Sequence, residues 1–169
     1  MQRRRLFLLS CGAAVLSGCG FQLRQTSDYP FKTLFPGFSL TSPMGAELSR
    51  QIRGTGRIEL LTEPKQAQQA DVVLDILQES RQRVVVGLNA AGQIRELQLR
   101  MTVRFRLRTP EGVEWIEPAE IYQERDLSFN ETAALSKEIE EAMLYRDMQN
   151  DIVQQIVRRL SRVKPPALR

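Results

Sequence analysis

Residues 97–108 read Leu97-Gln98-Leu99-Arg100-Met101-Thr102-Val103-Arg104-Phe105-Arg106-Leu107-Arg108. Every odd position from Leu97 to Leu107 is apolar, and every even one from Gln98 to Arg108 is polar or basic. Side chains alternate across a strand, so this pattern predicts a long β-strand with one buried face. On its C-terminal side Pro110-Glu111-Gly112 predicts a tight turn, and residues 113–129 predict a further strand. Pro118 within it lacks the N–H that a central strand needs, which suits an edge or a bulge. On the N-terminal side Asn89-Ala90-Ala91-Gly92 predicts another turn. Before it, Val72, Leu74 and Ile76 alternate with Val73, Asp75 and Leu77, and the strand is expected to run on through Arg83 to Leu88.

Helical periods flank this β-rich centre. Ser42-Pro43 suits a helix start, with Ser42 as N-cap and Pro43 in the first position. Met44, Leu48 and Ile52 then fall four apart on one face, and Gly54 with Gly56 ends the helix. Short strands are expected at Phe38–Thr41 and Arg57–Leu61, and residues 63–69 read as a polar loop. At the far end Ser128 and Glu131 have capping-box spacing. Leu135, Ile139 and Met143, followed by Met148, Ile152, Ile156 and Leu160, form the apolar stripe of a long helix, with Val153, Val157 and Val163 widening it. Arg158, Arg159 and Arg162 near its end agree with the helix dipole, and Pro165-Pro166 stops it. The fold class expected is α+β: a mostly antiparallel or mixed sheet of about four strands, with two helices packed on one face.

The first twenty residues carry an address. Arg3-Arg4-Arg5 precedes the apolar run Leu6–Leu16, about half of the roughly 20 residues that span a bilayer, so the run reads as the core of a signal peptide. It ends Leu16-Ser17-Gly18-Cys19, which resembles the lipobox of bacterial lipoproteins. That resemblance implies cleavage before Cys19 and lipidation of its thiol. Leu8-Leu9-Ser10-Cys11 is a weaker match, because it leaves about five apolar residues after Arg5 where a signal core usually has about 7–15. Gly20, where an aspartate favours inner-membrane retention in such lipoproteins, implies passage to the outer membrane. The expected organisation is a signal peptide at 1–18, a tether at 19–37, one α+β domain at 38–163 and a short tail at 164–169.

Composition narrows the chemistry. The chain holds 24 basic and 20 acidic residues, a net of +4. Removing the three signal-peptide arginines leaves 21 basic residues against 20 acidic ones, so a nucleic-acid partner has no support in net charge. There is no histidine, and the two cysteines are Cys11, lost with the signal, and Cys19, alkylated. Zinc sites built on His or Cys, histidine triads and disulfides are thereby excluded, and no metal or cofactor is expected. No catalytic constellation emerges. Ser136 and Lys137 are neighbours on a helix and do not face each other. Glu138, Glu140 and Glu141 read as a solvated helix face. Arg100, Arg104, Arg106 and Arg108 form a basic stripe. It is either a solvated face paired with acids such as Glu114 and Glu124, or a surface for phosphorylated lipid or a partner. Lys137, near the start of the last helix, reads on physical grounds as a solvated lysine with Glu141 in pairing range.

Several segments together resemble a known family. Leu16-Ser17-Gly18-Cys19-Gly20-Phe21-Gln22-Leu23-Arg24 is similar to the start of the LPS-assembly lipoprotein LptE family. Gly92-Gln93 leading into Gln98–Val103 resembles its central strand, and Arg125-Asp126, Phe129-Asn130 and Ala134–Glu138 resemble its strand-to-helix junction. Met148, Gln154-Gln155 and Arg158-Arg159-Leu160 resemble its terminal helix. The resemblance implies an outer-membrane lipoprotein that sits in the lumen of an LptD-like β-barrel, helps that barrel assemble, and serves the insertion of lipopolysaccharide into the outer leaflet. It implies contact between Lys137 and lipopolysaccharide. A second basic position of the family falls at Ala90 here, with Arg95 the nearest replacement. The competing expectation is an auxiliary lipoprotein of an envelope ABC-type transporter.

Overall fold

The computed structural model describes residues 29–130 and 133–166. The expected signal peptide, Cys19, the tether up to residue 28, Glu131 and residues 167–169 lie outside the described residues. Five strands form one mixed sheet: β1 Thr33–Gly37, β2 Glu59–Leu60, β3 Val72–Leu88, β4 Ile94–Arg108 and β5 Glu114–Ser128, in spatial order β2-β1-β3-β4-β5. β3, β4 and β5 are an antiparallel meander, whereas β1 runs parallel to both of its neighbours. Helix α1, Pro43–Gly54, and helix α2, Ala134–Leu160, cover one face.

The alternation on β4 holds: Leu97, Leu99, Met101, Val103, Phe105 and Leu107 are all buried. They meet Leu34, Val72 and Leu74 of the sheet, Met44, Leu48 and Ile52 of α1, and Met148, Ile152, Val153, Ile156 and Leu160 of α2 in a single core. The start of α1 is built as expected. The Ser42 hydroxyl accepts the Gly45 N–H at 3.0 Å, and Pro43 opens the helix. The turns at 89–92 and 109–112 close with Gly92 and Gly112 at positive φ, a conformation glycine adopts without strain.

Five expectations are corrected. Thr33–Gly37, assigned to the tether, is strand β1, and the expected strand at Phe38–Thr41 is a turn instead. The sheet captures this segment by a polar clasp. The Asp71 carboxylate accepts the N–H groups of Lys32 and Thr33 at 2.8 and 2.9 Å, and the Thr33 hydroxyl accepts the Asp71 N–H at 2.8 Å. The sheet therefore has five strands, not about four. Pro64–Gln69, expected as a loop, is a 3-10 turn started by a Glu63–Gln66 capping box. Ser128 does not cap α2. It is the last residue of β5, and α2 begins at Ala134 with no side-chain cap. Finally, Leu135, Ile139 and Met143, expected in the core, are 73%, 53% and 59% exposed.

Bulges help to set which side chains face the helices. On β3, Ile76 pairs with Phe105 but Gln78 pairs with Arg104, so Leu77 is an extra residue. Before it the even positions Leu74 and Ile76 share the face of Leu107 and Phe105. After it the odd positions Glu79, Arg81, Arg83 and Val85 share the face of Val103, Met101, Leu99 and Leu97. The helix-facing side of β3 thus changes from apolar to charged along one strand. On β5 the register slips between Ile116 and Ala119, placing Pro118 at a bulge on an edge strand.

Candidate functional site

Lys137 lies in the first turns of α2, where the helix passes over the end of β5. Its ammonium donates to Ser128 Oγ at 3.2 Å and to Glu140 Oε2 at 2.8 Å, and its side chain is only 19% exposed. The partner expected from spacing was Glu141. The structure corrects this to Glu140, because Glu141 turns toward the sheet and pairs with Arg83 at 3.4 Å. Lys137 is therefore a held cation, not a freely solvated one. Arg95 is exposed at the start of strand β4, and its carbonyl accepts the Phe129 N–H at 2.8 Å. Among the described residues no hydrogen bond joins Arg95 to Lys137.

One turn further along α2, the charged stretch of β3 and the helix enclose a recess of about 370 Å3 lined by Arg81, Arg83, Glu138, Glu141, Ala142 and Tyr145. Arg81 donates to Glu79 at 3.1 Å and to the buried Gln149 at 3.0 Å, and its guanidinium stacks 5.6 Å from the Tyr145 ring centre. The Tyr145 hydroxyl donates to the Gln82 carbonyl at 2.8 Å. Burial pushes its pKa up and the Glu141 charge adds to that, against the opposing pull of Arg83 and Arg81. Tyr145 is thus a hydrogen-bond donor and not an activated phenolate. The recess offers two guanidiniums and two carboxylates, a surface suited to binding polar groups. Sequence reasoning missed it. Arg81 and Arg83 at alternate positions, opposite Glu138 and Glu141 at helical spacing, were a usable signal, but the face they occupy depends on the Leu77 bulge.

The basic stripe on β4 is largely internal chemistry. Arg106 and Arg108 both donate to Asp75 Oδ2 at 2.8 Å, and Arg106 also lies 3.7 Å from Glu114. Arg100 donates to Gln98, and the expected partner Glu124, opposite it in register, accepts the Tyr122 hydroxyl instead. The ion-paired face foreseen for this stripe is present at Arg106 and Arg108. Several large apolar side chains stay in water: Leu135, Ile139 and Met143 on α2, and Val85, Val86 and Leu88 at the tip of β3.

The lipopolysaccharide-assembly family LptE matches residues 30–160, which takes in every strand and both helices. The chain belongs to the LptE family. It is 32% identical to the LPS-assembly lipoprotein LptE of Pectobacterium atrosepticum over 161 residues, covering 94% of this chain and 86% of that one. It is 28% identical to the LptE of Photorhabdus laumondii over 160 residues, with 94% and 86% covered. Among solved structures it resembles the solution structure of an uncharacterized lipoprotein B from Nitrosomonas europaea. The TM-score is 0.71 at 33% identity, over 84% of this chain and 90% of that one. A rare lipoprotein B from Shewanella oneidensis shares the fold, with a TM-score of 0.65 at 20% identity over 77% and 94% of the two chains. Among the described residues no helix is long and apolar enough to cross a membrane.

Proposed function

We propose that this LptE-family chain is an outer-membrane lipoprotein, anchored through Cys19, that partners and plugs an LptD-like β-barrel and serves the delivery of lipopolysaccharide to the outer leaflet. The observation that carries this is the family match across the whole described fold, in a chain whose first residues have a lipoprotein signal. A partner-dependent role is supported by the outer face of α2, where Leu135, Ile139 and Met143, four residues apart, are left exposed. Lys137, held by Ser128 and Glu140, is the residue we assign to contact with a lipid A phosphate, with Arg95 a weaker second. An ammonium near a helix N-terminus adds to the backbone N–H groups that favour an anion there.

The test is affinity purification of the full chain from solubilised outer membrane, with identification of the main partner. A large β-barrel protein is expected. An inner-membrane ATPase complex would refute the barrel role and favour the transporter accessory. For the anchor, Cys19→Ala is expected to abolish fatty-acid labelling, because alanine lacks the thiol that would carry the lipid. Label retained in Cys19→Ala but lost in Cys11→Ala would move the site to Cys11. For Lys137, a titration with purified lipopolysaccharide at two salt concentrations is expected to show weaker binding by Lys137→Asp, most clearly at low salt. Equal affinity at both concentrations removes Lys137 from the site and leaves the barrel role standing.

A further inference from the structure

Helix α2 ends in a second basic feature, far along the helix from Lys137. Gln155, Arg158, Arg159 and Arg162 line a recess of about 240 Å3 on one side of its last turns. Arg158 donates to Gln154 in a long 3.4 Å bond, and the Arg159 guanidinium lies 5.8 Å from the ring centre of the buried Phe105. Among the described residues no ion pair engages any of the three arginines, whereas Arg106 and Arg108 on the sheet share Asp75. The helix C-terminus favours cations, but its dipole amounts to about half an elementary charge. Three guanidiniums around one recess exceed what it neutralises.

The position of the cluster says where an anion would come from. Helix α2 starts over Ser128, passes Gln82 at Tyr145 and reaches Phe105 at Arg159, so it runs along β4 toward the Arg108 end of the sheet. The described chain enters at that same end. Phe31 packs edge-on against Trp115 at 6.2 Å, next to Glu114, the partner of Arg108 in the ladder. Cys19 precedes Tyr29 by ten residues, a reach of at most roughly 35 Å when extended. The arginines and the start of the described chain therefore share one end of the molecule.

We propose that Arg158, Arg159 and Arg162 form a binding site for the phosphate of a lipid head group in the membrane that holds the anchor. The planar guanidinium fork matches phosphate oxygens in pairs, which a lysine ammonium does not. The membrane location rests on lipidation of Cys19 as proposed above, and the phosphate chemistry does not.

The test uses the full lipidated chain in neutral-detergent micelles, titrated calorimetrically with short-chain phosphatidylglycerol, with purified lipopolysaccharide and with inorganic phosphate. Arg158 and Arg162 are exposed, so Arg158→Gln/Arg162→Gln is expected to keep the fold, checked by circular dichroism. Losing two arginines beside an anionic lipid is expected to weaken binding roughly 30-fold. The lipid whose affinity falls identifies the source, phospholipid or lipopolysaccharide. Arg158→Lys/Arg162→Lys is expected to recover only part of the loss. Unchanged affinity for both lipids in the glutamine variant overturns the proposal. So does full affinity in the lysine variant, which would mean a general cationic surface, and so does binding of inorganic phosphate alone. Lys137→Asp is titrated alongside: a loss there with the arginine variant intact defeats this inference and spares the lysine assignment, and the reverse result does the opposite.

Discussion

At the end of the sheet where β1 joins, Leu34, Val72, Leu74, Phe105 and Leu107 are fully buried beneath Leu48 and Ile52 of α1 and Ile152, Ile156 and Leu160 of α2. At the opposite end, where β3 and β4 turn at residues 89–92, Val85, Val86 and Leu88 are exposed, and so are Leu135, Ile139 and Met143 on the part of α2 that passes there. Both ends belong to the same long strands, and both have apolar residues at the right period. The difference is cover. Strands of 15–17 residues extend roughly 50 Å. Helix α1, with 12 residues, spans about 18 Å and protects one end only. The 27 residues of α2 span about 40 Å, but its early turns direct Glu138, Glu141 and Ala142 toward Arg81 and Arg83 of β3 and leave Leu135, Ile139 and Met143 on the outer side. Stability is concentrated at one end and surface for binding at the other.

The largest test of this contrast is Phe105→Ala. Phe105 is fully buried at the packed end, and its loss is expected to cost about 3–5 kcal/mol. Arg104→Ala, on the opposite face of the same strand, is expected to stay within about 0.5 kcal/mol. Equal shifts in a thermal melt would mean the strand faces are assigned the wrong way round.

Next, the two halves of α2 can be set against each other. Ile152→Ala is expected to cost about 2–5 kcal/mol, because Ile152 has no exposed surface. Ile139→Ala, thirteen positions earlier and 53% exposed, is expected to cost under about 0.5 kcal/mol. Urea unfolding of both variants decides it. A loss at Ile139 matching that at Ile152 would show that the first turns of α2 are packed after all.

The boundary between the halves is probed by Arg81→Ala. It strands the buried Gln149 carbonyl without its donor, at an expected cost of about 1–2 kcal/mol. An Arg81→Ala/Gln149→Leu double variant is expected to recover most of that loss, since an apolar replacement leaves nothing unsatisfied. Failure to recover would locate the contribution of Arg81 in its stacking on Tyr145.

The smallest effect concerns the clasp of β1. Burial raises the pKa of Asp71, but the N–H groups of Lys32 and Thr33, the Thr33 hydroxyl and the Lys32 charge outweigh it and hold the carboxyl below its usual range. A depressed folded pKa contributes stability that is present above the unfolded value and lost as pH falls through the folded one. Asp71→Asn is therefore expected to be slightly less stable at neutral pH and to lose less than wild type on acidification into the range of Asp71 titration. Parallel acid melts that fall by the same amount would remove Asp71 from the acid response.

The resemblance to the LptE family, carried by short segments from Leu16 to Leu160, was legible before any fold was known, and the match over residues 30–160 agrees with it. Lys137 was legible through that resemblance alone. Spacing suggested Glu141 as its partner, and the geometry supplies Glu140 and Ser128. The recess at Arg81 and Arg83 was not legible at all, because a one-residue bulge decides which side of a strand each of them occupies.

Local chemistry is enough for some features of this protein. Period-2 alternation from Leu97 to Leu107 names a strand and its buried face. Ser42-Pro43 starts a helix, the glycines at 92 and 112 permit tight turns, and the absence of histidine removes whole classes of chemistry. These follow from the properties of adjacent residues. Tertiary structure decided what depends on distant ones. Thr33–Gly37 is a strand because Asp71, 38 residues away, binds its backbone. Leu135, Ile139 and Met143 are exposed because they lie on the side of α2 turned away from Glu141, Tyr145 and Met148, which meet the sheet. An apolar stripe states that a face can be buried. Whether it is buried depends on what the rest of the chain brings to meet it.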